Sequence, residues 1–160
     1  MPTRPPFVFD SNSWRVLENF YPSRFPSFWA KFDGVVGTSD VVSVREVHNE
    51  LDRRVRADWL RVWVKQHRTA FLDPTPAETL FVAQIFAVRH FQMLVGQEQL
   101  LKGQPVADPF VIACAHVRGG CVVTEEFLKP NAAKIPNVCE HFGVPWTNVE
   151  GFLAHYGWQF

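Results

Sequence analysis

The short apolar run Phe7-Val8-Phe9 stops abruptly at Asp10, and Ser11-Asn12-Ser13 follow at once with the small polar side chains that open helices. Pro5-Pro6 stiffen the approach to the run. A buried strand that turns directly into a helix is the first half of a βα unit. The same alternation recurs down the chain. Asn12 to Phe20 reads as a helix stopped by Pro22, and Phe25 to Phe32 as a second short helix. Val35 to Val42 is rich in Val and Thr and reads as a strand. Ser43 to Glu46 has the spacing of a capping box, predicting a helix to about Arg54. Asp58 to His67 continues helically, with Trp59 and Trp63 on one face.

Thr75 to Glu78 is a second capping box with Pro76 at the first helical position, and a long helix to about Val95 is expected. One face of that helix should be core, and the rest of its apolar surface is available to a second copy or a partner protein. Asp108-Pro109 reads as the start of a helix to His116, ended by Gly119-Gly120. Cys121 to Thr124 is a short strand, Asn137 to Phe142 a helix capped by Gly143, Val144 to Thr147 a last strand and Glu150 to Tyr156 a last helix. Strands alternating with helices imply an α/β fold with a mainly parallel sheet.

The 160 residues suit one domain, residues 1–160. With 47% apolar and 20% charged residues the balance is globular, and fifteen Phe and six Trp leave aromatic rings to spare for a partner surface. No stretch approaches the run of about 18 apolar residues that a membrane span needs, and the N-terminus has no apolar segment of secretory length. The three cysteines, Cys114, Cys121 and Cys139, form no dense framework and read as reduced thiols of a cytoplasmic protein. A net charge of zero argues against indiscriminate nucleic-acid binding. The average conceals a local bias, since seven of the 16 Lys and Arg fall between Arg45 and Arg68.

In a parallel sheet the ligand site lies beyond the carboxyl ends of the strands. Asp10 ends the first strand, Glu126 follows the strand of Cys121 to Thr124, Asp108 opens the preceding helix, and Glu50 lies one to two turns into the helix after the second strand. Carboxylates converging on one edge repel one another unless a cation joins them, and oxygen ligands of this kind suit Mg²⁺ or Mn²⁺. Each residue also has a plainer role open to it. Asp10 and Asp108 fit helix caps, Glu50 a solvated helix face, and Glu125 with Glu126 an exposed acidic turn. Composition and spacing alone reach an acidic metal site and no further.

At these four positions the chain resembles the PIN-domain nucleases, including the VapC-type toxins of bacterial toxin–antitoxin pairs. "FVFDSNSW" is similar to the family's opening strand, with its Asp followed two residues later by Asn, Ser or Thr. "VVSVREVHNEL" is similar to the segment carrying the helical Glu, and the Glu before Leu selects Glu50 over Glu46. "ADPFVIACAHVRGGCVVTEEF" is similar to the third and fourth acidic sites. "FYPSRFPSFW" and "KIPNVCEHFGV" are similar to landmarks of a compact PIN-like branch of about this length.

The resemblance implies a three-layer α/β/α fold and a metal-dependent endoribonuclease, the toxin of a pair restrained by a cognate antitoxin. It implies that Asp10, Glu50, Asp108 and Glu126 hold Mg²⁺ or Mn²⁺, that a metal-activated water cleaves the RNA phosphodiester, and that Glu46 and Glu125 support the cluster. Asn12 would bond Asp10 or the substrate, with local turn bonding as the alternative. Glu126 stands where many members carry Asp, and Pro109 is unusual outside the compact branch. Both keep open a second reading, a PIN-fold module that acts by RNA or protein binding without catalysis.

Arg54, Arg61, Lys65 and Arg68 fall at spacings of seven, four and three, one face of a continuous helix. That face is either a phosphate-contacting stripe or simply solvated. Cys114-Ala-His116 and Cys139-Glu-His141 lack the spacers of paired zinc ligands.

Overall fold

The computed structural model describes residues 4–94 and 106–160. Five strands, β1 (Phe7–Phe9), β2 (Val41–Val44), β3 (Phe71–Leu72), β4 (Cys121–Val123) and β5 (Trp146–Thr147), form one sheet in the order β3-β2-β1-β4-β5. Every pairing is parallel, so each connection must cross over through other structure. Helices α1 (Ser11–Val16) and α2 (Pro26–Gly37) join β1 to β2, and α3 (Arg45–Arg54) and α4 (Asp58–Gln66) join β2 to β3. The return to β4 uses α5 (Pro76–Ala87), a 3-10 segment over Arg89–Leu94, and α6 (Asp108–Arg118). Helix α7 (Ile135–Phe142) leads to β5, and α8 (Val149–Tyr156) follows it.

Alternate residues of a strand face opposite sides. On one side of β1, Phe9 packs its ring against Trp14 of α1, Phe32 of α2 and Phe152 of α8, with centroids 5.3, 5.8 and 5.1 Å away. Phe7 meets Phe152 on the same side. Trp63 of α4 closes this layer against Trp14, Trp29 and Phe32. The opposite side is covered by α6, which packs on β1, β2 and β4 and is flanked by α5 and α7. The result is the three-layer α/β/α arrangement. The chain steps outward from β1 to β3, then returns past β1 to β4 and β5. The sense of progression therefore reverses between β1 and β4, and a crevice opens there at the carboxyl ends of the strands.

Several local expectations are corrected. The segment from Val35 does not begin a strand. Helix α2 runs on to Gly37 because Phe28, Phe32 and Val36 form one buried stripe at four-residue spacing. Thr38 ends it, Ser39 takes a positive φ of 63°, and the strand begins only at Val41. The capping box expected at Ser43 is absent. Ser43 is buried within β2, and its hydroxyl donates to the Phe9 carbonyl at 2.6 Å, tying β2 to β1. The box at Thr75 and Glu78 does form. Helix α5 stops at Ala87, since Val88 is extended and the 3-10 segment brings Phe91 against His141 and Phe142. The expected end at Val95 lies outside the described residues.

No continuous helix links Arg54 to Arg61 either. The buried Val55 is extended, and the Glu18 carboxylate accepts the N–H groups of Arg56 and Ala57 at 3.2 Å each to start α4 afresh. The two-residue strand β3 is too short to carry a periodic signal.

The aromatic layer sets a stability expectation. Phe32→Ala should destabilise by about 3–5 kcal/mol in urea unfolding. Leu80→Ala, at a side chain 67% exposed on α5, should stay within about 0.5 kcal/mol of wild type.

Candidate functional site

The crevice between β1 and β4 is an acidic cleft of about 190 Å³, lined by Asp10, Glu50, Asp108 and Glu126 together with Ser11, Asn12 and Arg54. All four carboxylates expected at the site line this one cleft. Each is delivered by a different element or its flanking loop. Asp10 follows β1, Glu50 projects from α3, Asp108 is the first residue of α6 and Glu126 stands three residues beyond β4.

Asp10 is both a cap and a member of the acidic cluster. Its Oδ1 accepts the Ser13 N–H at 2.8 Å and so caps α1, and its Oδ2 accepts the Thr124 hydroxyl at 2.6 Å. The Asp10 N–H donates to the Val123 carbonyl, which also accepts the Ser13 hydroxyl at 2.9 Å. With Asp10 only 2% exposed, burial pushes its carboxyl up to about 6. The bonds from Thr124 and Ser13 oppose that rise, and the Glu126 carboxylate adds to it.

Asp108 is pushed well above the usual carboxylate range, first by desolvation and then by the negative charges of Glu126, Asp10 and Glu50, with Arg54 opposing. It does not cap its helix through its side chain. The residue before the helix is Ala107, in a helical conformation.

The two glutamates are partly engaged. Glu50, 7% exposed, pairs through Oε1 with the Arg54 guanidinium at 2.9 Å, one turn along α3. Glu126 donates its N–H to the Thr124 hydroxyl at 3.1 Å, and its Oε2 accepts the Ile135 N–H at 2.8 Å at the start of α7. The Ser11 hydroxyl, buried at the cleft, has no hydrogen-bond partner among the described residues.

The other expected site residues divide. Asn12 lines the cleft, but Ser13, not Asn12, bonds Asp10. Glu125 does not line it: its Oε1 accepts the Val149 N–H at 2.8 Å and caps α8. Glu46 does not line it either and pairs with Arg45 at 3.0 Å. The basic stripe is not one face. Arg54 borders the acids, whereas Arg61 and Lys65 line a small neighbouring hollow with His48. Arg61 donates to the Val55 carbonyl and Arg68 to the Phe71 carbonyl, each at 2.6 Å. The sequence reasoning missed Ser13 and Thr124. Phe9 pairs with Val123 in the sheet, which sets Thr124 opposite Asp10. A hydroxyl closing the strand "CVVT" is the only sequence signal of that role.

Among the described residues no three Asp, Glu, His or Cys side chains already stand in ligand positions around one point. The donor chemistry nevertheless fits a hard divalent ion. The set is all oxygen, two of its carboxyls hold protons unusually tightly, and a buried hydroxyl at the cleft is unpartnered.

These shifts have a sign in stability. Asp10 rises from 3.8 to about 6 in the folded protein, so its native state favours the protonated carboxyl. Its contribution is fully present below pH 3.8 and is lost as pH rises through about 6, amounting to about 3 kcal/mol in the metal-free protein. Urea unfolding in chelator should find Asp10→Asn more stable than wild type by about 1–3 kcal/mol at pH 7.5, with the difference gone by pH 4. A constant difference across that range would contradict the assignment.

Comparison with known proteins gives one match. No curated protein and no solved structure matches the chain. A family model described as "Domain of unknown function (DUF4411)" matches residues 7–160, spanning every strand and all four acids of the cleft. The chain belongs to the DUF4411 family.

Proposed function

We propose that the protein is a metal-dependent endoribonuclease of PIN-like type, hydrolysing RNA phosphodiesters with Mg²⁺ or Mn²⁺. The observation that supports this best is the lining of one cleft by Asp10, Glu50, Asp108 and Glu126 at the point where the sheet's progression reverses. When bound, such an ion activates water and neutralises charge on a phosphodiester. Asp10 and Asp108 would supply oxygens to the ion, whose loading would release whatever protons they still hold. Thr124 and Ser13 fix the orientation of Asp10, and Ile135 fixes that of Glu126. Arg54 holds Glu50 at the rim and offers a cationic group that lines the same cleft to a substrate phosphate.

The resemblance extends the reading to the toxin of a toxin–antitoxin pair, with a cognate antitoxin as partner and the exposed Leu80 and Met93 as part of the apolar surface open to it. A second reading, a PIN-fold module that binds without cutting, draws on the engagement of Glu50 by Arg54 and of Glu126 by Ile135.

Cleavage of single-stranded RNA in Mn²⁺ tests the proposal. Asp10→Asn should lose more than about 100-fold in rate, and Thr124→Val, which removes an orienting partner, about 10–100-fold. Equal cleavage by wild type and Asp10→Asn would assign the activity to a contaminant. Retained RNA binding with no divalent-ion uptake by calorimetry would select the binding module.

A further inference from the structure

Immediately after Glu126 the chain exposes Phe127 and Leu128, 78% and 51% accessible, the former the most exposed large apolar side chain among the described residues. Neither belongs to the buried or half-buried apolar set among the described residues. Leaving such side chains in water forgoes burial worth about 1.5–3 kcal/mol each, and the loop is not free to fold them inward. Its start is held by the Glu126 N–H on Thr124 and the Glu126 carboxylate on Ile135. Its far side is held by the Asn137 amide on the Lys129 carbonyl at 2.7 Å and by a turn from Lys129 to Ala132, with Asn131 at a φ of 60°. Lys129 and Lys134, both exposed, follow Phe127 two and seven residues further along the chain.

We propose that Phe127 is a stacking platform for a nucleobase of single-stranded RNA whose neighbouring phosphate enters the acidic cleft. The proposal rests on the nuclease reading for the identity of the strand. Phe127 is the next residue along the chain from the cleft carboxylate Glu126, so its backbone adjoins the cleft lining. An exposed aromatic ring with exposed lysines nearby in the chain is the pairing that single-strand binders use, ring for base and cation for backbone. A patch of two side chains is far below the roughly 800 Å² per partner of a stable protein interface, whereas one ring is enough for one base. Because both ends of the loop are anchored, the backbone beneath the ring is already ordered, which lowers the cost of binding.

The test is fluorescence anisotropy with a labelled single-stranded oligoribonucleotide, in an Asp10→Asn background and in chelator, so that neither cleavage nor metal enters. Adding Phe127→Ala should weaken binding about tenfold or more, and Phe127→Trp should retain it. An oligomer of the same length lacking its bases should bind the Phe127 protein as weakly as the intact oligomer binds the Phe127→Ala protein. Equal affinity of the Phe127 and Phe127→Ala proteins, equal affinity for the oligomers with and without bases, or no RNA binding by either protein would each overturn the proposal. Failure of cleavage in Mn²⁺ with the base-dependent difference intact would remove the nuclease reading and leave the platform standing.

Discussion

The site depends on one carboxylate. Asp10 closes the end of β1 by accepting from Ser13 on one oxygen and from Thr124 on the other. The first bond starts α1, and the second joins the two strands between which the sheet reverses its progression. Both are made by a group almost fully removed from water. A buried carboxylate is tolerated only when hydrogen bonds or a counter-charge compensate it, and here the bonds compensate in part. Burial still prevails, and the proton is held to about 6.

That incomplete compensation is the common thread of the cleft. Asp108 is opposed by three other carboxylates and relieved by a single arginine, which is itself paired with Glu50. A fold needing only helix caps would not gather four acids where three raise the proton affinity of the fourth. The proposed divalent cation would remove the conflict, and its binding energy would then add to the stability of the folded state. Electrostatic strain of this kind, tolerated by the fold, is the pattern expected of a functional site.

Much of this is legible in the sequence, for reasons tied to particular residues. Asp10, Asp108 and Glu126 sit where short apolar runs meet helices, so local pattern places them at one edge of the sheet. The capping box at Thr75 and the glycine stops at Gly119 and Gly143 are equally local. What escapes the sequence depends on distant partners. Thr124 meets Asp10 only through the register of β1 with β4. Ser43 has the spacing of a cap, but the Phe9 carbonyl claims its hydroxyl from 34 positions away. The break between α3 and α4 is held by Glu18, which no window around Arg56 contains. Val35 and Val36 favour a strand by propensity, yet the aromatic stripe of α2 keeps them helical because burial outweighs an intrinsic preference.

The central claim is that these four side chains form one receptor for a divalent ion. Anomalous diffraction from crystals grown with Mn²⁺ measures it most directly. The account predicts a peak in the cleft, with carboxylate oxygens of Asp10 and Asp108 and of at least one of Glu50 and Glu126 at about 2.0–2.3 Å. Manganese bound elsewhere on the chain, with the cleft empty and its carboxylates as separated as in the metal-free protein, would contradict it.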